Sequence, residues 1–177
     1  MCVHINLPHP ATHYIFDYMQ DISNYDKIRE DAHNFYQKIG AIRCPALNNE
    51  LVHFIAEGFN HLIYKGKRRE RSKNDQITKF KLLPKAKNLI SLATTYQEYD
   101  ESITEVRKKR FKKIVQETAT VRYWGFVAIL NNFRIKVIVR QIGNGQRHFW
   151  SVIPAWRTEH YRDIKFISMA KGNLEKD

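Results

Sequence analysis

Two stretches of this sequence carry the residue types that phosphate chemistry needs. In "AEGFNHLIYKGKRRERSK", Phe59, Leu62 and Ile63 form an apolar stripe at helical spacing, and His61 and Lys65 stand four apart on one flank, within reach of a single phosphate. An imidazole titrating at about 6.5 is suited to general base or acid work. In "VIVRQIGNGQRHFWSVIPAW", residues 137–156, Arg140, Gln141, Arg147, His148 and Ser151 crowd a turn. There Arg140 would bind a phosphate and stabilise its transition-state charge, Ser151 would hydrogen-bond a phosphate oxygen, and His148 is the alternative proton donor.

The motifs that are missing narrow the reaction. No carboxylates are paired at two-metal spacing within the basic region, and there is no HExxH, P-loop or GxSxG. Catalysis would therefore run on His, Lys, Arg, Ser and Tyr, with no metal and no cofactor. That set suits RNA, whose own 2′-hydroxyl is the nucleophile, and the expected product is a 2′,3′-cyclic phosphate.

Elements of both kinds must position these residues. "ATHYIFDYMQDISNYDKIREDAHNFYQKIG" has helical spacing, as one helix or two broken near Ser23-Asn24, and Gly40 is its C-cap. "RCPALNNE" reads as a linker. A short extended run then leads into a helix from Ala56 to before Gly66, and a further helix runs from Asp75 to Leu83, breaks at Pro84 and resumes from Ala86 to about Leu92. From Thr118 the period changes to that of strands, and "FRIKVIVRQI" and "RHFWSVIPAW" continue an antiparallel meander with turns at Asn131-Asn132 and Gly143-Asn144-Gly145. "IKFISMA" would add an edge strand. The order predicts an α+β fold, N-terminal helices packed against a four- to five-stranded antiparallel sheet, with residues 1–46 as an N-terminal helical segment and 47–177 as the domain that carries the chemistry.

On "FRIKVIVR", Phe133, Ile135, Val137 and Val139 share one face, while Arg134, Lys136, Ile138 and Arg140 share the other. The hairpin register stays open. A two-residue loop sets Arg140 opposite Phe149 and Ile138 opposite Ser151; a three-residue loop brings His148 and Trp150 beside Arg140 instead.

A formal charge of +12 and a pI near 9.7 point to a polyanionic partner. Two runs, "KGKRRERSK" and "RKKRFKK", offer backbone contacts through Lys67, Arg68, Arg69, Arg71 and Lys73, and through Arg107, Lys108 and Arg110. Arg134, Lys136, Arg147 and Arg157 would extend that surface, and Tyr123 or Trp150 could stack a base. Cys2 and Cys44 are too few for a disulfide framework or a thiolate zinc site. No apolar run approaches membrane-spanning length and no signal peptide is evident, so a soluble, cytoplasmic protein is expected.

"FIAEGFNHLIYKGKRRERSKNDQITKFKLLPKAKNLI", followed by "VRYWGFVAI", "FRIKVIVRQI" and "HFWSVIPAW", resembles the phage-associated barnase–EndoU–colicin–RelE class of small nuclease domains over roughly residues 50 to 157. The resemblance implies helices packed on an antiparallel sheet and metal-free RNA cleavage on the sheet's exposed face. It places a polar helix residue, a central-strand Arg and a hairpin Ser at His61, Arg140 and Ser151, and it implies an acidic antitoxin or immunity protein as a partner. A basic module that binds nucleic acid without cutting it is the competing reading.

Overall fold

In the computed structural model, which describes residues 22–66, 69–110, 113–130 and 133–157 (backbone alone at 107–110, 113–114, 130, 133 and 155–157), helix α1 spans Tyr25–Ile39. It begins after Asn24 and stops at Gly40, whose φ of 62° lies where a Cβ would be strained. The break expected near Ser23-Asn24 thus falls at a helix start.

"RCPALNNE" is more than a linker. Strands β1 (Ala41–Cys44) and β2 (Glu50–His53) pair antiparallel across it, joined by a 3-10 turn at Pro45–Leu47 and by Asn48 and Asn49 at φ 57° and 60°. Asparagine is the ordinary side chain that tolerates this left-handed region best. Helix α2 (Ala56–Ile63) follows, then a small ribbon of β3 (Tyr64–Lys65) and β4 (Arg69–Glu70).

Helix α3 (Lys73–Leu92) is capped by the Ser72 hydroxyl, which accepts from the Asp75 N–H at 3.2 Å. It continues through Pro84, where a break was expected. A proline inside a helix costs about 3 kcal/mol. Leu82, Leu83, Ala86 and Ile90 are buried on both sides of it, and burial of each large side chain returns about 1.5–3 kcal/mol, so packing decides against the break.

Four long strands complete the fold: β5 (Glu98–Arg110), β6 (Lys113–Leu130), β7 (Phe133–Ile142) and β8 (Arg147–Arg157). They form an antiparallel meander, and β2 adds to β8 in parallel, giving a six-stranded sheet of order β1-β2-β8-β7-β6-β5. The α+β class with helices packed on the sheet holds; β1 and β2, from the hairpin at 41–53, and β5 are additions to the predicted meander. β6 begins at Lys113, before the expected onset at Thr118. β5 is a strand because β6 pairs with it along its full length, although its sequence is too charged to signal one. The stretch 11–21, the Asn131-Asn132 turn and "IKFISMA" lie outside the described residues.

The main core lies between the helices and one sheet face. Tyr36, Phe54, Phe59 and Phe149 interlock there, with Phe54 and Phe149 stacked at 5.0 Å. The Tyr36 hydroxyl donates to the Ile55 carbonyl at 2.9 Å. A helix drawn from residues 1–46 is therefore built into the same core as the sheet. A Cβ at Gly58 would lie 2.1 Å from the Phe149 carbonyl oxygen, so α2 runs directly against the backbone of β8.

Candidate functional site

The hairpin contains both registers left open by the sequence. Arg140 pairs with His148 and Val139 with Phe149, but Ile138 pairs with Ser151, because Trp150 is an extra residue in a bulge. A bulge re-aims side chains locally. Here it leaves Trp150 in a small second cluster with Val106, Val121, Tyr123 and Ile138, apart from the main core.

Trp150 organises the site. The His61 ring stacks on it at 4.0 Å, the Arg140 guanidinium lies 4.2 Å from its centroid, and His148 meets it edge-on at 6.1 Å. Arg140 also sits 5.7 Å from the centre of the Tyr123 ring. Its NH1 donates to Glu57 Oε1 at 3.0 Å. Glu57, Asn60 and His61 share one side of α2 by their spacing of three and four. With Tyr64, Gly66 and Trp150 they line a cavity of about 660 Å³.

Burial, with the charges of Arg71, Lys79 and Arg140 adding to it, pushes the His61 pKa down to about 3. His61 is thus neutral at pH 7, and of the two roles expected for it the acid is closed. Burial lowers His148 as well, with Glu57 opposing the shift. Nδ1 of His148 lies 3.4 Å from the Gln146 carbonyl, while its Nε2, Nδ1 of His61 and Nε1 of Trp150 have no protein hydrogen-bond partner.

The fold thus brings together His61, Arg140, His148, Tyr123 and Trp150. Lys65 does not share a helix flank with His61: α2 ends at Ile63, and Lys65 is an exposed residue of β3. Ser151 is fully buried and accepts from Lys79 Nζ at 3.2 Å, the same ammonium that donates to the Val152 carbonyl at 2.6 Å. It is not presented to an incoming phosphate. Arg134 and Lys136, expected on a solvent-facing cationic row, are buried, and Lys136 pairs with Glu98 at 3.3 Å.

The remaining cations spread apart. Arg147 is ion-paired with Glu50 and lies over the Trp124 ring at 5.0 Å. Arg71 donates to the His61 carbonyl, Lys73 lies over the Tyr25 ring, and Arg69 is exposed on β4. Lys67 and Arg68 lie outside the described residues, as do the side chains of Arg107, Lys108, Arg110 and Arg157. Glu57 is the functional candidate that sequence reasoning missed; its signal was its place four residues before His61 on a helix.

No group of three His, Cys, Asp or Glu side chains among the described residues is placed to hold a metal ion, and no described helix is long and apolar enough to cross a membrane. Comparison with protein-family models, with curated proteins and with solved structures finds no match for this chain.

Proposed function

We propose that this chain is a metal-independent endoribonuclease resembling the barnase–EndoU–colicin–RelE class, with its reaction centre where Glu57 and Arg140 meet at the cavity wall. The observation that carries the reading is the Glu57–Arg140 pair itself. A half-exposed carboxylate and a guanidinium stacked on Trp150 are held 3.0 Å apart beside space for a substrate. One serves as proton acceptor, the other as phosphate ligand.

In the proposed reaction Glu57 takes the proton of the 2′-hydroxyl as its oxygen bonds to phosphorus, and the bond to the 5′-oxygen breaks. Tyr64, which lines the same cavity, returns a proton to that leaving oxygen. The products are a 2′,3′-cyclic phosphate and a 5′-hydroxyl. Arg140 has five N–H donors and gives one of them, on NH1, to Glu57, so the guanidinium can hold Glu57 and stabilise the phosphorane together. His61 and His148 are neutral walls that fix Trp150 and Arg140. A chain of this charge, cutting cellular RNA, fits the toxin of a toxin–antitoxin or phage system, with an acidic protein as its inhibitor.

The test is incubation with total tRNA and with mRNA in EDTA. Wild type yields ends bearing 2′,3′-cyclic phosphate; Glu57→Gln and Arg140→Ala, each folded by circular dichroism, lose about 10²-fold or more. Full activity in either variant removes that residue from the reaction. The second reading is a binding module, favoured by the burial of both site histidines. It predicts intact RNA, retained with a steep salt dependence.

A further inference from the structure

Strand β5 is the outer edge of the six-stranded sheet and is thirteen residues long. Among the described residues no strand pairs with its outer side. A long edge presents a row of backbone donors and acceptors to any strand of complementary side chains. Large apolar side chains are exposed along this edge: Ile103 at 76%, Tyr99 at 48% and Tyr96, just before the strand, at 43%.

The strand is also divided by charge. Glu98, Asp100, Glu101 and Glu105 occupy its first part, and Arg107, Lys108, Lys109 and Arg110 its end. Within the chain, β6 sets no carboxylate directly across from those four cations. Their partners in register are Gln116, Val115, Ile114 and Lys113.

We propose that β5 pairs antiparallel with β5 of a second copy of this chain, about a two-fold axis beside Thr104, so that two six-stranded sheets become one of twelve. Full overlap of residues 98–110 sets Asp100 opposite Lys108, Glu98 opposite Arg110 and Glu101 opposite Arg107. Glu98 and Glu101 would each share the carboxylate with a cation of their own chain, Lys136 and Arg122 respectively. Symmetry makes each pair twice. Residues directly opposite in an antiparallel pair lie on one face and interact.

The charges also choose the register. A two-residue slip one way sets Glu101 against Glu105, and a slip the other way sets Glu105 against itself on the axis; like charges directly opposite are destabilising. A parallel arrangement would lay the basic part along the basic part. Only the full overlap makes three acid–base pairs while setting no like charges directly opposite each other.

Sedimentation of the whole chain tests the pairing, and it does so independently of any RNA cleavage. Wild type is expected to sediment as a dimer. Asp100→Lys and Lys108→Asp, taken separately, each create two like-charge contacts and raise the dimer Kd about tenfold or more. An equimolar mixture of the two variants restores dimerisation, since each reversed position then meets its complement on the other copy. A wild-type chain that stays monomeric at about 100 μM, too weak for a specific interface of this kind, overturns the proposal. So does a mixture that associates no better than either variant alone. If monomeric wild type retains RNA and Lys108→Asp weakens that retention, the basic part of β5 serves nucleic acid and the pairing is wrong.

Discussion

The two faces of the sheet are held by different forces. Against the helices, Phe54, Phe59, Val137, Phe149 and Val152 pack without a polar atom among their side chains, and α2 approaches β8 so closely that only glycine fits at position 58. On the other face a smaller cluster of Val106, Val121, Tyr123, Ile138 and Trp150 shares its surroundings with Arg140, His148 and Lys136. Burying charge destabilises a fold unless the charge is paired, and pairing at best roughly cancels that cost. Stability is therefore carried by the apolar packing of the helix side, where Lys79 and Gln76 are buried but hydrogen-bonded. The second face holds charged groups in fixed geometry at little net gain, which is what a reaction site requires and a core does not.

The largest expected effect separates these faces directly. Phe149→Ala empties a site bounded by Tyr36, Phe54 and the α2 seat, and should destabilise by about 3–5 kcal/mol in urea unfolding. Arg140→Ala removes a side chain whose partner Glu57 is half exposed and rehydrates when released, so it should cost about 1 kcal/mol. Comparable losses from the two variants would make Arg140 a structural residue and break the distinction between the faces.

Acid sharpens the same contrast. The His61 pKa is depressed to about 3 and that of His148 is also lowered. Between pH 6.5 and 3 the unfolded chain binds a proton at His61 that the folded chain refuses. Stability should thus be unaffected by His61 above that window and fall as pH falls through it, by about 1 kcal/mol per pH unit for a fully buried histidine. The carboxyls of Glu50 and Glu101, lowered by Arg147 and by Tyr99 respectively, titrate only at more acid pH and are too exposed to add much there. The diagnostic range is therefore pH 6.5 to 5. His61→Phe keeps a ring beside Trp150 and should reduce the slope there to the share that His148 contributes; an unchanged slope would assign the protons to other groups.

What the sequence made legible followed local rules. The Gly40 stop, the helix from Ala56 and the three strands after Thr118 each rest on spacing or turn chemistry that neighbouring residues supply. β5 was hidden because its acidic and basic side chains read as a solvated segment, and only pairing with β6 makes them a strand. A three-residue loop puts Trp150 and His148 beside Arg140 in sequence terms, but their actual meeting depends on a one-residue bulge, which no alternation pattern announces. Alternation sets Ser151 on the exposed face beside Arg140, whereas Lys79, 72 positions away, covers it. Glu57 stands four residues before His61, but its partner is a cation 83 positions along the chain. Contacts at such separations are set by packing, not by neighbours in sequence.

The smallest expected effect compares two ion pairs on one strand. Glu98 reaches Lys136 at 3.3 Å with side chains 19% and 11% exposed, and it does so across Gly125, where a Cβ would stand 2.9 Å from the Glu98 Cβ. Glu101 meets Arg122 at the same distance, but the two are 43% and 29% exposed. Water already solvates the second pair, so Glu101→Gln should leave the urea midpoint within experimental error. Glu98→Gln withdraws a charge from a buried ammonium and should cost about 1–2 kcal/mol, with Gly125→Ala following in the same direction by displacing Glu98. Equal effects at both glutamates would mean that the second face is open to water at Lys136. Its charges would then be solvated surface groups, and the ordered geometry around Arg140 would lose its physical support.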